Sequence, residues 1–186
     1  MMYELPKTVE VGGKEYAIRS DYRAVLDILT ALSDPEMSDL DKAVVMLGIF
    51  YEDEIPQQLA QEALNKCGWF INCGQVEAKK KNDRKLMDWE QDFQYIVAPI
   101  NNAAGCDVRG LSYMHWWTFM GYYMDIGDCM FAQIVAIRKK LKTGKKLEKH
   151  EREFYRDNRE IIDFRTKYTE AESDFITKLL GGESNG

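Results

Sequence analysis

Residues 113–131 read YMHWWTFMGYYMDIGDCMF. At helical spacing Tyr113, Trp116, Trp117, Met120, Tyr123 and Met124 place bulky apolar groups over more than half of a helix circumference. A helix that is apolar on most sides has to be enclosed by other elements, so the stretch predicts a central helix over residues 112–126, capped by Ser112 and ended by Gly127. Trp116, Trp117 and Phe119 are expected to organise a core, with His115 as a hydrogen-bonded, half-buried side chain rather than a base. An edge of the same stretch, near Tyr122, Tyr123 and Met124, is the alternative expectation: an adaptable aromatic-methionine groove for an apolar helix. A membrane span is excluded, because His115, Asp125, Gly127 and Asp128 interrupt the run before the roughly 18 apolar residues a spanning helix needs.

The elements that enclose such a helix are legible on both sides of it. TVEVGGKEYAIRS alternates around Gly12-Gly13, which is a hairpin signature because a two-residue turn needs positive φ. Nothing else reads as strand. Ser20 or Asp21 caps a helix with Tyr22, Val25, Leu26, Leu29 and Leu32 on one face, and Pro35 ends it. Ser38 opens a second helix over Leu40, Val44, Leu47 and Phe50, and Pro56 a third that carries Leu59, Ala63, Leu64 and Trp69 and frays near Gly74. A fourth is expected over residues 86–103, with Pro99 kinking or stopping it early. Asp128 starts another after Gly127, through Phe131, Ile134, Val135 and Ile137. In the last stretch Leu147, Phe154, Ile161, Tyr168 and Phe175 recur every seven residues. That spacing predicts one helix over residues 147–180, on the order of 50 Å long and partly an arm toward another chain.

The fold expected is therefore mainly α: a compact multi-helix domain with a short N-terminal β-hairpin and a long C-terminal helix. With 186 residues the chain suits a single domain. Its parts are a hairpin (1–19), N-terminal helices (20–74), a basic linker (75–85), central helices (86–142), and the C-terminal helix and tail (143–186). No cationic-then-apolar leader opens the chain, and the four cysteines form no Cys-x-x-Cys pair, so free thiols in a reducing cytoplasm are expected. Net charge is -6, and residues 1–54 carry twelve acids against five bases. The surface is then dipolar and able to orient a partner or a second copy.

Sites for chemistry are weakly signalled. Cys67, Cys73, Cys106, Cys129, His115 and His150 lack the spacing of a zinc site, and no phosphate-cradling glycine motif occurs, so no metal, cofactor or catalytic residue is expected. Asp88 and Asp92 stand one turn apart and read as a solvated acidic helix start that the helix dipole favours. RKKLKTGKK, residues 138–146, holds six cations in nine positions. With the basic cluster 79–85 it could hold nucleic acid, although cations at a helix C-terminus and an acidic net charge argue against that.

LPKTVEVGGKEYAIRSDYRAVLDIL, DWEQDFQYIVAPI and MHWWTFMGYYMDIGDCMFAQIVAIRKKL, in this order, resemble a family of tailed-phage and prophage proteins encoded beside the tape-measure gene and regarded as tail-assembly chaperones. Asp21, Arg23 and Leu26, Asp88 and Asp92, His115-Trp116-Trp117-Phe119 and Ile137-Arg138 carry the resemblance, which extends from Leu5 to about Tyr168. It departs at Tyr22, Met114, Pro99 and Cys106. The resemblance implies a non-enzymatic role that shields the tape-measure protein during tail morphogenesis in the bacterial host cytoplasm, with the protein absent from the mature virion. The tape-measure protein is the implied partner, the major tail protein and a second copy are further candidates, and no membrane is involved. Binding is expected at Tyr122, Tyr123 and Met124 and at the stripe Ile161, Phe164 and Tyr168, with Asp21, Arg23 and His115 as structural residues. The alternatives are a nucleic-acid-associated phage protein acting through the lysine clusters, and a structural tail or connector component.

Overall fold

A computed structural model describes residues 4–75 and 85–165. It is mainly helical with one two-stranded antiparallel hairpin, β1 (Thr8–Val11) and β2 (Lys14–Ala17), joined by Gly12 and Gly13 at φ +58 and +75. Both glycines hold the left-handed region that a two-residue hairpin turn requires. Val9, Val11, Tyr16 and Ile18 are buried, which fixes the register Val9 opposite Tyr16.

Helix α1 (Tyr22–Leu32) starts where Asp21 accepts the Arg23 amide, and α2 (Asp39–Phe50) where Ser38 accepts that of Asp41. Arg19 closes the far end of α2. Its Nη1 lies 2.8, 2.8 and 2.7 Å from the carbonyls of Gly48, Ile49 and Tyr51, which a helix terminus otherwise leaves without partners. A 3-10 turn (Gln57–Leu59) leads from Pro56 into α3 (Ala60–Ile71). Helix α4 (Trp89–Ala104) runs through Pro99 for five more residues, so the early stop does not occur: Ile96, Val97 and Ile100 are buried around the proline, and packing outweighs the lost backbone bond.

The central helix, α5 (Trp116–Met124), is shorter than expected, and its cap is His115 rather than Ser112. Residues 113–115 are extended instead because they are bonded to the start of α1. The Tyr22 amide donates to the Met114 carbonyl at 2.9 Å, the Trp116 amide to Ser20 at 2.8 Å, and Asp21 accepts the Met114 amide at 2.9 Å. Tyr22 then stacks on Phe119 at 4.5 Å between ring centres, and the indole N–H groups of Trp116 and Trp117 donate to Ile71 and Phe70, the C-terminal carbonyls of α3. Trp116 and Phe119 are fully buried and Trp117 half-buried. Asp21 and Arg23, half-buried, pair at 3.1 Å, and Arg23 also donates to the Leu111 carbonyl.

Gly127, at φ +57, separates α5 from α6 (Met130–Lys142), whose cap is Cys129 and not Asp128. The single long C-terminal helix is not formed. It is replaced by α7 (Lys149–Asp157), a break at Asn158, the one-turn α8 (Arg159–Ile162), and extended backbone at Asp163. The linker residues 76–84 and the expected helix beyond residue 165, Tyr168 included, lie outside the described residues.

Candidate partner-binding surface

Two of the residues expected to meet a partner at the C-terminal stripe are engaged within the domain. Ile161 packs against a small second core of Ile134, Ile137 and Ile162. The Phe164 ring lies 4.2 Å from the Arg138 guanidinium and 5.0 Å from the Lys142 amine, a cation-π arrangement. Tyr123 is half-buried, with its hydroxyl 3.1 Å from the Met87 sulfur and its ring against Trp89 and Phe131. Tyr122 is also half-buried against the core, whereas Met124 is 73% exposed.

The acidic start of α4 is not solvated. Asp92 is fully buried and receives Arg138 in a two-pronged ion pair, 2.6 Å from Nη1 and 2.9 Å from Nη2. A guanidinium has five N–H donors, and all five are placed here. Nε donates to Ile162 at 2.6 Å, and the remaining Nη1 and Nη2 protons reach Leu86 and Ile161 at 3.2 and 2.8 Å. Asp92 also accepts the Asp88 amide, while Asp88 caps the Glu90 and Gln91 amides. Gln91 completes the node by donating to the Asp163 carbonyl and accepting the Arg165 amide, both at 2.9 Å. The assembly is self-satisfied and leaves no donor aimed at a ligand.

This also reduces the basic patch. Arg138 is 3% exposed and committed to Asp92, Lys140 pairs with Glu151 at 2.6 Å, and Lys142 donates to the Lys85 carbonyl. Lys139, Lys145 and Lys146 remain exposed, fewer cations than the six the sequence suggests for a nucleic-acid face.

Groups with shifted protonation are structural in setting. His115 donates from Nε2 to the Pro6 carbonyl at 3.0 Å and accepts the Trp117 amide at Nδ1, also at 3.0 Å. Burial holds its pKa below the ordinary 6.5, opposed by the Pro6 hydrogen bond and reinforced by Lys7. Burial pushes the Cys67 thiol far above its usual range. Among the described residues no group of three or more His, Cys, Asp or Glu side chains could hold a metal ion. An open groove of about 730 Å³ between the hairpin and α1, lined by Lys7, Ala24, Asp27, Glu52 and Tyr113 among others, mixes both charge signs.

An open apolar surface lies along α2. Of the four apolar residues that mark this helix in the sequence, Phe50 is buried and Leu47 half-buried, but Leu40 is 74% and Val44 61% exposed. Gly48, one further turn along, is exposed as well. Leu40, Val44 and Gly48, at i, i+4 and i+8, make one stripe facing away from the domain. The signal was present in the composition of the helix: Ala43, Val45, Met46 and Ile49 add apolar side chains on the remaining sides, more than one packed face can bury. Met124 and Met130, at the end of α5 and the start of α6, are also exposed, the latter 42%.

No helix among the described residues is long and apolar enough to cross a membrane. Comparison with curated proteins and with solved structures gives no match. A family model described as "Bacteriophage Gp15 protein" matches residues 1–164, nearly the whole chain and every described element. The chain belongs to the Bacteriophage Gp15 protein family.

Proposed function

We propose that this phage protein is a tail-assembly chaperone that covers apolar helical faces of the tape-measure protein until tail-tube subunits replace it. The observation that carries the reading is the unpartnered apolar stripe of α2, with Leu40 and Val44 mostly open to solvent in an otherwise well-packed domain. Contiguous apolar surface of that kind marks a place where another polypeptide binds. An amphipathic helix set on a rigid domain suits a long helical target that presents its own apolar stripe. One stripe of three turns gives a modest affinity, and many copies along one target supply avidity while each stays displaceable. The protein would act in the bacterial host cytoplasm and leave before the virion is complete, and it performs no bond-breaking chemistry in this reading.

The test is co-expression with the tape-measure protein of the same phage. Soluble tape-measure protein that co-purifies with this chain supports the role. Tape-measure protein that precipitates to the same extent with and without it removes the role. Recovery of this chain from purified, washed particles would replace the chaperone by a structural tail component.

A further inference from the structure

The stripe of α2 has a charge setting that its fold does not require. From residue 34 to residue 54 there are seven acids, Asp34, Glu36, Asp39, Asp41, Glu52, Asp53 and Glu54, and a single base, Lys42. Asp39 and Asp41 lie in the first turn of α2, where the helix dipole favours them, and Asp41 also accepts the Ser38 hydroxyl. Glu52, Asp53 and Glu54 follow the C-terminal end, where the same dipole opposes acids. Arg19 is the cation placed against that end, and its Nη1 is given to three backbone carbonyls. Helix stabilisation therefore accounts for one acidic end and not for the other. A ligand lying lengthwise on the stripe would meet carboxylates at both ends.

We infer that α2 takes an amphipathic helix whose apolar stripe is flanked by lysine and arginine, laid across Leu40, Val44 and Gly48. This rests on the shielding role proposed above and names the chemistry of the segment shielded. Leu40 and Val44 supply the apolar ridge. Gly48 is open, with nothing within 4 Å of where a Cβ would stand, so a partner helix can approach the backbone there. The acids at the two ends pair with the flanking cations, set the position of the partner along the ridge, and repel helices with acidic flanks. A second copy of this chain is a poorer occupant. Among the described residues its exposed lysines at the end of α6 surround a single exposed apolar side chain, Leu141, and one side chain cannot match a ridge spanning i to i+8.

The experiment uses the full-length protein and two labelled synthetic helices with the same leucine-alanine stripe, one with lysine and arginine flanks and one with glutamate flanks. Fluorescence anisotropy is expected to show binding of the basic-flanked helix only, weakened roughly tenfold or more by raising the salt to about 0.5 M. The variant Leu40→Asp/Val44→Asp, checked by circular dichroism for an unchanged helix content, is expected to lose that binding. The variant Glu52→Gln/Asp53→Asn/Glu54→Gln should bind more weakly and with a shallower salt dependence. Equal binding of both helices, binding of neither, or binding indifferent to Leu40→Asp/Val44→Asp overturns the inference. So does a dimer of the free protein that this double variant converts to monomer, since the ridge would then serve self-association. Tape-measure solubilisation that survives the double variant removes this inference and leaves the chaperone role. Intact helix binding without any effect on the tape-measure protein does the reverse.

Discussion

Asp92 and Arg138, 46 residues apart in the chain, face each other in the interior at 2.6 and 2.9 Å, neither more than 3% exposed. Among the described residues each is the other's ion-pair partner, and Arg138 also holds the carbonyls of Leu86, Ile161 and Ile162. Removing one partner strands a buried charge. Asp92→Ala and Arg138→Met are each expected to destabilise the fold by about 3–5 kcal/mol, and a double exchange of both for apolar residues by less than the sum. Urea unfolding of the three variants checks this. Additive losses would mean that the two side chains act independently.

His115 links stability to pH. Its neutral form, with the proton on Nε2, serves Pro6 and leaves Nδ1 free to cap Trp117. A proton on Nδ1 would point at the amide it now accepts. Because the folded pKa lies below 6.5, the unfolded chain takes up this proton first. The contribution is thus fully present above about 6.5 and declines as pH falls toward the lowered folded value. The urea midpoint should drop as the pH is lowered below about 6.5, and His115→Asn, which keeps a capping acceptor, should flatten that dependence. An unchanged slope in the variant would place the titration elsewhere.

Gly48 is helical, and a Cβ added there meets nothing within 4 Å. Gly48→Ala should therefore raise stability by about 1 kcal/mol through helix propensity alone, measured as a shift in the unfolding midpoint. The same variant should weaken binding of a helix seated on the ridge. A gain in stability with no loss of binding would show that the partner does not cross this position.

The thiols should separate by exposure. Cys106 is exposed, while Cys67 is buried with its thiol held protonated by burial. Brief alkylation of the native protein, read by mass spectrometry, should modify Cys106 first and leave Cys67 untouched until urea is added. Cys106→Ser should remove the fast reaction. Rapid modification of Cys67 in the native protein would contradict the packing of α3 against the hairpin.

Much of the architecture was legible because its signals act over a few residues. The Gly12-Gly13 turn, the cap at Ser38 and Gly127 after α5 are decided by local backbone sterics and hydrogen bonds and stand as read, while Asp21 is the cap of the two candidates and Pro56 leads through a 3-10 turn into α3. The aromatic run announced the core for the same reason: so much apolar area on one helix has to be enclosed. Three features were settled only when distant segments met. A carboxylate at a helix start looks solvated until a guanidinium arrives from 46 residues away to bury it. The heptad spacing of the last segment promised a continuous helix, but the carbonyls of Ile161, Ile162 and Asp163, which would have carried it on, accept from Arg138 and Gln91 instead. Periodicity locates an apolar ridge on α2, yet which ridge stays in water depends on where α1 and α3 pack. Short-range chemistry thus determined what the elements are, and long-range packing decided which faces they hide and which one, the Leu40–Val44 side of α2, they leave open.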